Sequence, residues 1–278
     1  MDKSGNRFVW YELTTADMDS AAAFYTRVLG WGTADVSAPG KPYVLFTAGG
    51  APVAGLMQLP LDAAEAGAAP QWIGYVAVDD VDDTAARVRK LGGVVHVPPT
   101  DVLGISRFSI IADPQRATLA LVKAREGGGP QAPAQPDAPG HLGWHELNAL
   151  SLEAALAFYL PLFGWEKASI QAGPAGGSQV FSAGGEPIGG MLSGPEDAQA
   201  SIWLYYFNVH GIGGALKRVE AAGGQILDGP LALPSGVQIA HCRDPQGAIF
   251  ALIDKRIRVT IGCYQSQGPS AGPPDSEP

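Results

Sequence analysis

The chain has 278 residues, 46% of them hydrophobic and 16% charged, with a formal net charge of −9 at pH 7. That is length for two ordinary domains with a core in each, and the composition is that of a globular protein. An acidic chain without a cluster of Lys and Arg is not built to hold a phosphate backbone, so a nucleic-acid partner is not expected, nor is a membrane, since no apolar run approaches the length of a span. Two cysteines, Cys242 and Cys263, are too few for a disulfide framework or a zinc cage. With no apolar leader in MDKSGNRF, reduced thiols and a cytoplasmic location are the expectation.

In chain order, Phe8–Leu13 alternates as a strand with both faces covered. Asp17 is placed to cap a helix whose apolar residues Met18, Ala21, Ala22, Tyr25, Val28 and Leu29 recur at helical spacing, with Gly30 as its stop. Two short strands follow at Tyr43–Thr47 and Pro52–Met57, joined by a hairpin signal at Gly49-Gly50. A second unit repeats this order: strand Gln71–Val78, a helix through Val81, Ala85, Val88 and Leu91, and strands at Val94–Val97, Arg107–Ala112 and Ala117–Val122. Asp113-Pro114 turns between the last two.

Residues 125–140 are rich in Gly, Pro and Ala and read as a semi-extended linker. The plan then starts again. WYELTTADMDSAAAFYTRVLGW at Trp10–Trp31 returns as WHELNALSLEAALAFYLPLFGW at Trp144–Trp165, and Trp10, Phe24 and Trp31 each recur 134 residues on. Strand Leu142–Leu147 leads to a helix over Ser151–Phe163, which Pro161 is expected to end or kink early. Gly184-Gly185 repeats the hairpin, Ile202–Val209 repeats the strand Gln71–Val78, and Asp244-Pro245 repeats Asp113-Pro114. Two domains follow, 7–124 and 141–255, each of two strand–helix–strands units, with a disordered tail expected over 265–278.

The residues Asp17, Phe24-Tyr25, Gly30-Trp31 and Asp113-Pro114, with Phe158-Tyr159, Gly164-Trp165 and Asp244-Pro245, carry a resemblance to the vicinal oxygen chelate superfamily of glyoxalases, bleomycin-resistance proteins and extradiol dioxygenases. The chain looks closest to the tandem glyoxalase-like subgroup. The resemblance implies an α+β fold of two tandem domains, each of two paired βαβββ units, with curled mixed sheets around a cavity and helices outside.

Metal-dependent members of that family hold a divalent ion on His, Gln or Glu side chains from the first and last strands of each unit. Carried over, those positions fall at Trp10, Ile73, Trp144 and Leu204, near Gly55 and Gly190, and at Ala120 and Ala251. None of these side chains coordinates a metal, so neither a metal nor another cofactor is expected. The neighbours that carry ligand atoms are His145, Glu12 and Glu146.

Strand parity places Glu12 and Glu146 on the same face as Trp10 and Trp144, the face turned to the family's cavity. A carboxylate beside an indole in a half-dry pocket is suited to acid/base work through a raised pKa. It is equally suited to ordering the pocket wall through hydrogen bonds. Tyr75 and Tyr206 fall at matching positions on the same face, to donate to a ligand oxygen or to the glutamates, or to be core tyrosines. Trp10 and Trp144 offer flat apolar surface to a ligand or fill the space an ion would take. His145 replaces Tyr11 and is expected to face the helix as a core histidine. His241 and Cys242 adjoin on one strand, point to opposite faces, and are poor partners.

The leading expectation is a metal-independent glyoxalase-like protein, monomer or homodimer, that binds a small apolar or aromatic molecule in a domain cavity. The alternative is a lyase or isomerase that uses Glu12 or Glu146 as acid/base, because a fold alone does not fix a function. Metal chemistry on unrecognised ligands and a scaffold role resting on the linker and tail complete the set.

Overall fold

The computed structural model describes residues 6–125, 137–173, 176–195 and 197–255. Most of the expected linker, the whole expected tail and Cys263 lie outside the described residues. The first half runs β1 (Phe8–Thr15), α1 (Met18–Leu29), β2 (Gly32–Asp35), β3 (Tyr43–Ala48), β4 (Ala51–Gln58), the short α2 (Leu61–Glu65), β5 (Gln71–Ala77), α3 (Val81–Lys90), β6 (Val94–Val102), β7 (Ser106–Ala112) and β8 (Thr118–Ala124). The second half runs β9 (Leu142–Ala149), α4 (Leu152–Phe163), β10 (Glu166–Gly173), β11 (Gly176–Ala183), β12 (Glu186–Ser193), β13 (Ile202–Asn208), α5 (Ile212–Ala221), β14 (Gln225–Ala232), β15 (Gln238–Arg243) and β16 (Ile249–Asp254).

Each half forms one mixed eight-stranded sheet, in the orders β2-β3-β4-β1-β5-β8-β7-β6 and β10-β11-β12-β9-β13-β16-β15-β14. The second order is the first with eight added to every strand number, so the expected α+β tandem architecture is present. The sheets do not close into barrels, since β2 and β6 end the first and β10 and β14 the second. At the centre of each sheet the two units meet through an antiparallel pair, β1 with β5 and β9 with β13, flanked by parallel partners β4 and β8, or β12 and β16.

Local sequence accounts for the element ends. The Asp17 carboxylate accepts from Ser20 N, and Gly30 takes the left-handed conformation (φ 74°) that lets its N–H close on the Thr26 carbonyl. In α4 Ser151 caps in the same way, accepting from Ala154 N, and Gly164 is likewise left-handed (φ 66°). At the β3–β4 hairpin both Gly49 (φ 58°) and Gly50 (φ 85°) are left-handed, as a two-residue turn of this hand requires.

Two local expectations are corrected. Helix α4 runs through Pro161 to Phe163 and is as long as α1, 12 residues each. The missing N–H costs only the bond to the Ala157 carbonyl, while buried Leu162, Phe163 and Trp165 hold the last turn down. Strand β2 went unread because GTAD is exposed at every position and carries no alternation.

A larger correction concerns the core. Instead of a core in each domain, one continuous cluster spans both and takes in Phe24, Tyr25, Trp31 and Trp72 from the first half and Phe158, Tyr159, Trp165 and Trp203 from the second. The contacts that join the halves are reciprocal. Trp72 Nε1 donates to the Tyr25 hydroxyl (2.9 Å), which donates to Asp244 Oδ2 across the interface (3.1 Å). Trp203 Nε1 donates to the Tyr159 hydroxyl (3.0 Å), which faces Asp113 of the first half, more loosely, since Asp113 Oδ2 lies outside strict hydrogen-bonding geometry.

The indole of Trp31 donates to the Gly140 carbonyl (2.8 Å), and that of Trp165 to its counterpart, the Asn6 carbonyl (2.5 Å). Phe24 lies where a Cβ on Gly224 would be, and Phe158 where one on Gly93 would be. Such isologous exchange defines a pseudo-twofold axis between the domains. Motifs that read as signatures of each separate domain are therefore the joint between the two.

Candidate functional site

With one face of each sheet given to the common core, the other face carries the polar residues singled out from sequence. Small satellite clusters mark it: Ile73, Tyr75, Ala120 and Val122 in the first domain, Leu204, Tyr206, Ile239, Ala251 and Ile253 in the second. Trp10 and Trp144 pack against these clusters.

In the first domain Glu12 is only 9% exposed. Its two oxygens accept from two tyrosines, Oε1 from Tyr43 (2.5 Å) and Oε2 from Tyr75 in a short contact. Trp10 Nε1 in turn donates to the Tyr43 hydroxyl (3.2 Å). Burial raises the Glu12 pKa, against the three donors Tyr43, Tyr75 and Trp10, which hold it down. Tyr43 reaches the carboxylate because β4 carries Gly55 beside it, where a Cβ would meet the Tyr43 hydroxyl at 2.0 Å. Tyr43 was missed from sequence: it reads as an ordinary first residue of a hairpin strand, and only the glycine opposite gives it away.

The second domain repeats the carboxylate but not its surroundings. Tyr206, the counterpart of Tyr75, places its hydroxyl 2.9 Å from Glu146 Oε1 and 2.9 Å from His241 Nε2. Asn148 Nδ2 donates to the same Oε1 at 3.4 Å. Oε2 of Glu146 has no protein partner among the described residues, and the side chain stays partly exposed. The neighbour of Gly190, which pairs with Glu146 as Gly55 pairs with Glu12, is Ser178, with its Oγ 3.7 Å from a Cβ built at Gly190. A tyrosine has become a serine there, and the contact across the glycine relaxes from the 2.0 Å of the first domain to an ordinary 3.7 Å.

Burial raises the Glu146 pKa, opposed by Tyr206 and Asn148. It lowers that of His241, against the nearby Asp228. His241 belongs to this site, and the sequence reading left it out. Its strand parity held the clue, since Cys242 faces the common core while His241 faces away from it. Cys242 is inert, its thiol pushed up to about 12 by burial.

The four side chains proposed from sequence beside the glutamates are thus brought together in pairs, Trp10 with Tyr75 and Trp144 with Tyr206, one set per sheet. His145 does not join them. It faces the first domain rather than a helix, stacked on Phe8 with ring centroids 4.0 Å apart. Its Nδ1 lies 2.6 Å from the Ile188 carbonyl, which can only accept, so the proton is on Nδ1 and Nε2 accepts from the Tyr11 hydroxyl at 2.7 Å. A recess of about 250 Å³ between the domains, lined by Trp72, Trp203, Thr118 and Arg116, arises only from domain packing and left no mark in the sequence.

A divalent ion of the kind the fold family uses needs three or more convergent protein ligands. Around Glu12 there is one carboxylate, both oxygens taken by tyrosines, and the space at Gly55 is filled by a hydroxyl. Around Glu146 the second ligating side chain, His241, is turned onto the Tyr206 hydroxyl. Among the described residues no group of three His, Cys, Asp or Glu side chains is placed to hold a metal. The donor sets do not fit the ion.

The family model for the Glyoxalase/Bleomycin resistance protein/Dioxygenase superfamily matches residues 7–121 and again 140–252. Among curated relatives, CFP32 of Mycobacterium tuberculosis, provisionally named a glyoxylase, is 35% identical over 246 residues, 88% of this chain and 93% of that protein. The anthracycline biosynthesis protein DnrV of Streptomyces peucetius is 31% identical over 260 residues, covering 89% of this chain and 92% of its own length. Among solved structures, the Mn(II)-bound glyoxalase from Novosphingobium aromaticivorans superposes with a TM-score of 0.58 at 16% identity, over 91% of this chain and 82% of that one. At that identity the likeness is one of fold.

Proposed function

Since the chain belongs to the Glyoxalase/Bleomycin resistance protein/Dioxygenase superfamily, we propose that it handles a small, largely apolar or aromatic molecule on the sheet faces that carry Glu12 and Glu146, and does so without a metal. One observation carries this reading: tyrosine hydroxyls engage the carboxylates of Glu12 and Glu146 where ligands to an ion would converge. Trp10 and Trp144 supply flat apolar surface beside those carboxylates. The likeness to an anthracycline biosynthesis protein is in keeping with a planar aromatic ligand.

Thermal unfolding against a panel of aromatic compounds tests this. A ligand at a hundred times its Kd stabilises by about 2.7 kcal/mol through mass action, and the expected shift is unchanged by EDTA. A panel without any shift, or a shift abolished by EDTA and restored by Mn(II), would overturn the reading.

A second reading, acid/base catalysis of the lyase or isomerase type, draws on the burial that raises both glutamates' pKa values. It predicts turnover that is lost in Glu146→Gln or Glu12→Gln with the fold intact.

A further inference from the structure

The two polar clusters differ in a way that selects one of them. Glu12 has both oxygens engaged, is 9% exposed, and lies under a tyrosine that fills the only gap its glycine neighbour leaves. Each oxygen already accepts from a buried tyrosine, and an incoming group that displaced Tyr43 or Tyr75 would strand a buried hydroxyl. Glu146 is partly exposed and has one oxygen engaged, and the smaller serine at the position of Tyr43 keeps its hydroxyl off the carboxylate. A partly buried carboxylate oxygen without a protein partner, beside an indole, is a waiting acceptor.

We propose that the distal face of the second domain, and not that of the first, binds a planar aromatic molecule bearing a phenolic or enolic hydroxyl, which donates to Oε2 of Glu146. The inference rests on the small-molecule reading above and narrows it to one face and one ligand class. Tyr206 and His241 are positioning residues. With the carboxylate ionised, the single proton of the Tyr206 hydroxyl lies toward Oε1, so its oxygen accepts from Nε2–H of His241. That chain fixes the carboxylate plane and aims Oε2 outward.

The groups that line this face leave the Glu146 carboxylate a place for one more donor. Tyr206 from β13 and Asn148 from β9 donate to the carboxylate, and His241 from β15 stands behind Tyr206 on its hydroxyl. Among the described residues the exposed Asp228 of β14, which pairs in register with His241, is a further charge beside them. A hydroxyl completes the acceptor's shell without competing with those donors, and Trp144 stacks on the ring that carries it.

Calorimetric titration of the full chain with 2-naphthol, and with 2-methoxynaphthalene as the ligand that lacks the donor, tests the assignment. The expected result is saturable 2-naphthol binding, at least tenfold weaker for the methyl ether and at least tenfold weaker in Glu146→Gln. Tyr206→Phe, which keeps the ring and removes the anchor on Oε1, is expected to weaken 2-naphthol more than the ether and to shift the pH at which binding is lost on acidification, a readout that mere loss of packing would not move. Binding that survives Glu146→Gln undiminished, or equal affinity for the two compounds, overturns this inference while leaving the broader small-molecule reading in place. If no aromatic compound binds at all, both fail together.

Discussion

At the scale of single residues, two glycines make opposite predictions. Gly55 and Gly190 occupy the same register position in the two sheets, opposite Glu12 and Glu146. An alanine Cβ at Gly55 meets the Tyr43 hydroxyl at 2.0 Å and Glu12 Cγ at 3.1 Å, and Tyr43 can yield only by leaving the carboxylate. Gly55→Ala is therefore expected to destabilise by about 1–3 kcal/mol in urea unfolding, with most of that restored by adding Tyr43→Ser. At Gly190 the nearest atoms lie at 3.7 Å and 3.8 Å, ordinary contact distances, so Gly190→Ala is expected to be neutral or slightly stabilising. Equal losses at the two glycines would show that the second site is as full as the first.

Residue chemistry was the part of the site most legible in the sequence, because parity along a strand assigns faces. Glu12, Trp10 and Tyr75 needed nothing more. Tyr43 and His241 depend on strands brought alongside by the sheet order, which parity within one strand cannot supply.

At the scale of elements, repetition within the chain placed nearly every strand and helix, since one unit checks the next. It failed where a unit departs from its copies without a hydrophobic signal, as in β2. It also overweighted Pro161, a local rule that tertiary packing overrides. That helix still carries the cost of one lost backbone bond and a crowded ring. Pro161→Ala is expected to raise the stability of the chain by about 1–2 kcal/mol, the helix gain less the added freedom of the unfolded chain, measured as a higher urea midpoint at constant slope. A lower midpoint would mean that the ring is itself a packing element against the first domain, where the Pro161 carbonyl meets Arg87.

At the scale of the whole molecule, the joint between domains was invisible as such. Phe-Tyr and Asp-Pro announce a family, but nothing in their spacing says that Tyr25 reaches Asp244 in the other half. The joint also sets an acid limb to stability. His145 packs against Phe8, Tyr11 and Tyr205, with Lys255 nearby, and desolvation lowers its pKa to about 4. The unfolded chain binds that proton near pH 6.5 and the native chain does not, so this contribution is complete above pH 6.5 and is lost as pH falls toward 4.

The raised carboxylates Glu12, Glu146, Asp113 and Asp244 act with the opposite sign, favouring the fold as they protonate. Comparing unfolding free energies at pH 7 and pH 5 isolates the histidine. The loss between the two is expected to be smaller by about 1–2 kcal/mol in His145→Gln than in the parent chain. Identical losses would mean that the ring is solvated in the native state.

Tyr11 and His145 hold equivalent places in the two halves and touch each other, which puts them at the pseudo-twofold axis. Two identical subunits meeting there would have to set tyrosine against tyrosine, or histidine against histidine. A chain that carries both halves is free to set a donor against an acceptor.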